Sequence, residues 1–179
     1  NEGTVEKLIG KIKGCNGEVI DVSESLKRKP APALYDLTEL QRDANRIWGY
    51  SAKQTLSIMQ RLYENHKVLT YPRTDSRYIS TDVVATIPDR LKAISVGNYR
   101  AAAVSILKNK IVPSKSFVDN NKVSDHHAII PTEESPNFMH FSLEERNIYD
   151  LVVKRFLSVL MPPFEYLQTN VTAEIAGEK

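Results

Sequence analysis

Two proline clusters bracket the middle of this 179-residue chain and limit what can be helical on either side of them. Lys27-Arg28-Lys29-Pro30-Ala31-Pro32 reads as an extended connector, because each proline pushes its predecessor out of the helical region. At the far end Pro162-Pro163 stops a helix, since a proline inside one removes a donor and clashes with the preceding turn. Outside the brackets the pattern is that of strands. Val19, Ile20 and Val22 are β-branched, and Phe164–Ile175 alternates through Thr169, Val171, Ala173 and Ile175. Residues 4–28 read as strands, with a turn at Gly14-Cys15-Asn16-Gly17. Strands at both ends predict that the termini pair in one sheet, with the helices inserted as a separate domain. The expected class is α+β, with sheet segments at 1–30 and 158–179 and a mainly helical domain over 31–157.

Inside the brackets the period changes to that of a helix. Leu37, Leu40, Ala44, Ile47 and Trp48 recur at three- and four-residue steps, and Gly49 ends the run. Ser51 with Gln54 has the spacing of a capping box, followed by an apolar face of Ala52, Leu56, Met59 and Tyr63, which reads as core. Residues 81–95 and 98–109 read as two more helices, with Pro88 in the first and Gly97 between them. Ile111–Ser124 is polar and without period, a surface loop. Ser142 with Glu145 marks a second capping box, opening a helix with the stripe Ile148, Leu151, Val152, Phe156 and Val159.

Composition narrows the function classes. An apolar fraction of 41% is that of a globular chain, and no stretch approaches 18 apolar residues, which excludes a transmembrane helix. The start, NEGTVEKLIGKIK, lacks a signal-peptide core. The single Cys15 excludes a disulfide framework and a cysteine zinc site, so a cytoplasmic setting is expected. Net charge is only +2, but its distribution is uneven. Ser51–Tyr78 carries Lys53, Arg61, Lys67, Arg73 and Arg77 against Glu64 and Asp75, whereas Glu133–Asp150 carries five acids against Arg146. The basic segment suits a polyanion.

That basic segment holds the chemistry. Tyr71-Pro72-Arg73-Thr74-Asp75-Ser76 places a phenol, a guanidinium and a carboxylate within five residues, on a loop that follows a helix. A tyrosine acts as a covalent nucleophile when its proton is taken or its pKa lowered, and arginine offers a planar fork of donors to a phosphate. Asp75 reads as orienting Arg73 or capping a turn. His126 and His127 are poorly placed for metal, because adjacent side chains point apart and no cysteine or i, i+4 partner follows. The same adjacency argues against nickases that bind metal through histidines one residue apart. A histidine beside the hydrophobic Ala128-Ile129-Ile130 or beside a phosphate are the remaining readings. Aromatics on a basic stretch also fit a non-catalytic single-stranded DNA-binding module.

Four segments, in order, resemble the central part of a type IA DNA topoisomerase of the bacterial kind. They are Pro32–Gln41 (PALYDLTELQ), the Leu69–Ile79 tyrosine segment, His126–Thr132 (HHAIIPT), and the closing helix and strand. The chain departs from the pattern at Ala33-Leu34-Tyr35, where the family has a Pro-Phe or Pro-Tyr pair. The resemblance implies that Tyr71 is the nucleophile that cleaves one strand and joins its 5′-phosphate, and that Arg73 positions that phosphate or activates the phenol. It implies that His126 contacts DNA near the break. Asp75, Arg77 and Lys53 are the further candidates for DNA contact. The flanking strands would belong to the family's β-rich arch, whose opening passes a second strand through the break before ATP-independent religation. Magnesium would be held by a Toprim domain whose Asp-x-Asp cluster is not found in this sequence, so a fragment inactive alone, working on single-stranded DNA at the nucleoid, is expected.

Overall fold

The structure, a computed structural model, describes residues 2–178. They form two compact units, one built from residues up to Lys29 together with those from Pro163 onward, the other from Pro30–Pro162. In the first unit α1 (Glu2–Ile12) precedes β1 (Gly17–Lys29), which pairs antiparallel with β2 (Phe164–Ile175). The pairing runs from Gly17 against Ile175 to Lys29 against Phe164, with one bulge between Val19 and Asp21. Both ends of the chain thus meet in one sheet. Residues 4–12, read as strand, are helical instead. Val5, Leu8, Ile9 and Ile12 recur at three- and four-residue steps, and this helical period wins over the β-branched valine and isoleucines. The ribbon leaves Val22, Leu26, Phe164, Leu167 and Val171 exposed.

The second unit contains α2 (Leu37–Trp48), α3 (Ala52–Glu64), the short α4 (Thr81–Val84) and α5 (Ile87–Ala93), then α6 (Arg100–Leu107) and α7 (Leu143–Leu160). The stop and start signals act as their chemistry dictates. Gly49 closes α2 in the left-handed conformation (φ 73°), its N–H donating to the Asn45 carbonyl at 2.8 Å. Ser51 accepts from the Gln54 N–H at the head of α3. At Ser142 both halves of the capping box form, Oγ accepting from the Glu145 N–H and the Glu145 carboxylate accepting from the Ser142 N–H.

α7 supplies the central wall of the core, burying Ile148, Tyr149, Val152, Val153, Phe156 and Leu157. α2 meets it with Leu40 and Ala44, and α3 with Ile58, Met59 and Leu62. The α3 face differs from the expected stripe, because Thr55, Ile58, Met59 and Leu62 turn inward while Tyr63 is 38% exposed. The loop over 111–124 is irregular but not wholly superficial. Phe117 and Val118 are buried, and Val118 bridges to Ile79.

One polar network is set into this core. The Tyr35 hydroxyl donates to Asp43 Oδ2 at 2.5 Å, and Arg155 Nη2 donates to the same oxygen at 3.0 Å. Arg155 also donates to the Ala33 carbonyl at 2.8 Å and lies 3.9 Å above the Tyr35 ring. Burial, reinforced by Asp43, pushes the Tyr35 hydroxyl far above the ordinary phenol range. Burial works against the Asp43 carboxylate, but Tyr35, Arg46 and Arg155 outweigh it and hold its pKa below the usual value. Arg155→Ala is expected to destabilise the unit by about 2 kcal/mol, because it removes the inner cation of Asp43, leaving only the more exposed Arg46, and takes the donor from the Ala33 carbonyl. Urea unfolding of the variant tests this; a loss under about 1 kcal/mol would mean the network adds little.

Candidate active site

The tyrosine segment is irregular but anchored, bending at Pro72, whose carbonyl accepts from the Thr74 N–H at 3.1 Å. From Tyr71 to Arg77 exposure alternates: Pro72, Thr74 and Ser76 are buried, while Arg73 and Asp75 are exposed and Tyr71 and Arg77 half-buried. The exposed Arg73 and Asp75 thus alternate with the small buried hydroxyls of Thr74 and Ser76. The hydroxyls anchor the run. Thr74 Oγ1 donates to the His126 carbonyl at 3.2 Å and accepts from the Ser76 N–H, and Ser76 Oγ donates to the Lys122 carbonyl at 2.7 Å. One residue upstream of Tyr71, Thr70 N–H donates to the Ile130 carbonyl while Thr70 Oγ1 accepts from the Ile130 N–H, both at 3.0 Å.

Further bonds extend this seam. Thr132 N–H reaches the Val68 carbonyl, Ala128 N–H the Tyr78 carbonyl and Ile129 N–H the Tyr35 carbonyl, at 2.8–3.0 Å. Three segments far apart in sequence, around Tyr35, Tyr71 and Ile129, are thereby laid side by side. The result brings Tyr71 and His126 together, with ring centroids 4.4 Å apart and planes tilted by 40°. A third ring, Tyr63 of α3, meets Tyr71 edge-on at 5.4 Å. Sequence reasoning assigned Tyr63 to the core. Its place one residue beyond Leu62 on α3 is the signal that was available, since a helix turns by about 100° per residue.

The other candidates divide. Arg73 is exposed and, among the described residues, makes no ion pair, so its guanidinium is open to an anion. Asp75 is likewise exposed and is not ion-paired to Arg73, which removes the expected orienting role. Arg77 is spent on structure, its Nε donating to the Leu34 carbonyl at 3.3 Å and its Nη1 lying 3.8 Å from Glu39. Lys53 lies in the first turn of α3, about 15 Å of helix rise from Tyr63, and borders a separate cavity with Ser51, Arg61 and Ser142. His127 is half-buried, and its Nδ1 donates to the Ala128 carbonyl at 2.8 Å, a contact that fixes the proton on Nδ1 because a carbonyl only accepts.

This chain is matched over residues 1–179 by the model of a family described as DNA topoisomerase. The chain belongs to that DNA topoisomerase family. The DNA topoisomerase 3 of Bacillus cereus (strain ATCC 14579) is 57% identical over 178 residues, covering 99% of this chain and 24% of that protein. The DNA topoisomerase 3 of Bacillus subtilis (strain 168) is 51% identical over the same length, again covering 99% and 24%. In fold, the chain is similar along its whole length to 28% of full-length topoisomerase I from Thermotoga maritima, with a TM-score of 0.66 at 22% identity. This topoisomerase chain therefore spans about a quarter of the length of the curated relatives it matches. Among its described residues no three His, Cys, Asp or Glu side chains gather where they could share an ion, so the donors present do not fit a magnesium centre. No helix among the described residues is long and apolar enough to cross a membrane.

His127 also makes the site pH-sensitive. Burial lowers its pKa, with the Arg90 and His126 charges adding to this and the Ala128 carbonyl and Asp82 opposing it. A histidine whose folded-state pKa is depressed leaves the unfolded chain binding more protons, so stability falls as pH drops below about 6.5 and levels off below the folded value. His127→Gln is expected to flatten that part of the stability curve, read as the melting temperature between pH 7 and 5.

Proposed function

We propose that the Pro30–Pro162 unit carries the nucleophile of a type IA DNA topoisomerase and becomes covalently joined to one DNA strand during each cycle. The observation that carries this reading is the Tyr71–His126 ring contact at 4.4 Å, formed by two segments 55 residues apart in the chain. In the proposed step the Tyr71 Oη attacks a backbone phosphorus, and the bond from phosphorus to the 3′ oxygen of the preceding nucleotide breaks. The phenolic proton is lost and the departing oxygen is protonated, leaving a 5′-phosphotyrosine and a free 3′-hydroxyl. Religation is the reverse, and the tyrosyl ester retains the bond energy, so no nucleotide triphosphate is consumed.

Arg73 meets the non-bridging oxygens, since it is exposed, makes no ion pair among the described residues and lies two residues from Tyr71. His126, exposed at the Tyr71 ring, contacts the DNA beside the phosphate. Asp75 lies exposed two residues further on. Arg77 and Lys53 are not assigned to the break, for the reasons of geometry given above. The magnesium ligands, together with a further glutamate and lysine, belong on this reading to the length of the relatives that this chain does not span. The flanking β1–β2 ribbon is assigned to the arch that lets a second strand pass, and the substrate to single-stranded DNA at the bacterial nucleoid.

In the full-length protein Tyr71→Phe is expected to abolish the covalent adduct with single-stranded DNA, scored on a denaturing gel. Arg73→Ala should slow adduct formation by about a hundred-fold, the range seen when one transition-state donor is lost. An adduct that persists in the Phe variant would assign the nucleophile elsewhere. The 179-residue chain by itself is expected not to relax supercoiled DNA.

A further inference from the structure

A cavity of about 630 Å³ opens beside Tyr71, and Tyr63, Lys67, Tyr71 and His127 are among the residues that line it. Its threonine hydroxyls and one histidine nitrogen are already paired. Thr132 Oγ1 donates to the Lys67 carbonyl at 2.6 Å, Thr70 Oγ1 donates to the Ala128 carbonyl at 3.2 Å, and His127 Nδ1 is held by the same carbonyl. What the cavity offers an entrant is therefore chiefly the aromatic surface and phenols of Tyr63 and Tyr71, with one cationic and one anionic residue, Lys67 and Glu64, at its border. Tyr63 stands exposed at its wall with its ring edge-on to Tyr71. The Lys67 ammonium makes no ion pair among the described residues, although Glu64 also lines the cavity.

Lys67 is held in an unusual conformation. Its φ is +57°, the left-handed region where glycine sits at least cost, and only one other described non-glycine residue, Ala176, shares it. The backbone needs that turn, because Val68 N–H must swing round to the Leu62 carbonyl at 3.0 Å and start the run that leads to Tyr71. A lysine here carries a conformational cost that glycine would avoid, and it places an exposed cationic residue at the border of the Tyr71 cavity.

We propose that this cavity is the subsite for the nucleotide whose 5′-phosphate becomes joined to Tyr71, with its base stacked on Tyr63 and its 3′ phosphate held by Lys67. The inference rests on Tyr71 being the nucleophile and says where the captured end is kept. A nucleotide one ester bond from Tyr71 Oη has its base and next phosphate within reach of residues bordering the same cavity. Glu64 repels a phosphate from its own part of the wall, which leaves the Lys67 end for the anion. Because the Thr70 and Thr132 hydroxyls are internally bonded, recognition rests mainly on stacking and charge, with little dependence on which base enters. Tyr63 and Lys67 thus act as binding residues that keep the cut end in register until religation.

The test uses the full-length protein and single-stranded oligonucleotides cut at one position, with either a normal or an abasic nucleotide on the 3′ side of the break. For the unmodified protein, removing the base is expected to lower the equilibrium yield of covalent adduct about ten-fold, a typical effect of losing one base–aromatic stack. In Tyr63→Ala the two substrates should differ by less than about two-fold, and Tyr63→Phe should restore the difference. An abasic penalty that is absent from the unmodified protein, or undiminished in Tyr63→Ala, overturns the subsite. Lys67→Gly should raise the melting temperature while making the salt dependence of oligonucleotide binding shallower by about one unit of log–log slope, and Lys67→Arg should keep that slope. An unchanged slope in Lys67→Gly removes Lys67 from the subsite. Tyr71→Phe is run alongside: an adduct there overturns the nucleophile itself, whereas loss of adduct there with an intact abasic penalty in Tyr63→Ala overturns the subsite alone.

Discussion

Most of what this unit can do depends on a short seam of backbone hydrogen bonds between the segment around Tyr71 and the segment around Ile129. Thr70 and Ile130 exchange two bonds, Thr132 reaches Val68 and Ala128 reaches Tyr78. Neither segment forms a regular strand, yet their backbone groups pair with one another along the seam. The free-energy reason is general: a buried amide without a partner costs more than a made bond returns. Once the seam is closed, Tyr71 and His126 have little choice of neighbour. Their meeting is a consequence of register, much as side-chain pairing across a sheet is.

Around that seam the helices act as a frame. α7 spans the core, and Arg155 ties it to the segment carrying Ala33 and Tyr35, whose carbonyl in turn receives the Ile129 N–H. The mechanical path from the longest helix to the tyrosine run is thus continuous. Buried groups such as Thr74 and Ser76 complete it, with hydroxyls small enough to lie inside the run and polar enough to hold it. Exposed Arg73 and Asp75 alternate with them, so the same five residues serve packing on one side and the solvent-facing site on the other.

Much of this was legible in the sequence, residue by residue. Gly49, Ser51 and Ser142 mark helix ends through local chemistry that needs no tertiary partner; Gly49 and Ser142 act as written, while at Ser51 the cap forms without the reciprocal Gln54 bond of a capping box. The amino-terminal segment was misread because β-branched residues are only weak evidence, and Val5, Leu8, Ile9 and Ile12 keep helical spacing. Tyr63 was misplaced for a related reason. A stripe drawn through Leu56 and Met59 differs by one helical position from the stripe that is buried, and that single step moves a tyrosine from core to site.

The sequence by itself determined the family, most helix ends and the pairing of the two termini. Those follow from local backbone preference, from periodicity and from two specific segments in order. Tertiary structure alone decided which basic residues stay available: Arg77 is drawn into bonds with Leu34 and Glu39, Lys53 is carried to the far end of α3, and Arg73 is left free. It also decided that Tyr63 and Lys67 share a cavity with Tyr71. No local rule fixes such outcomes, because they depend on which carbonyls and carboxylates the fold brings within hydrogen-bond reach of a long, flexible side chain.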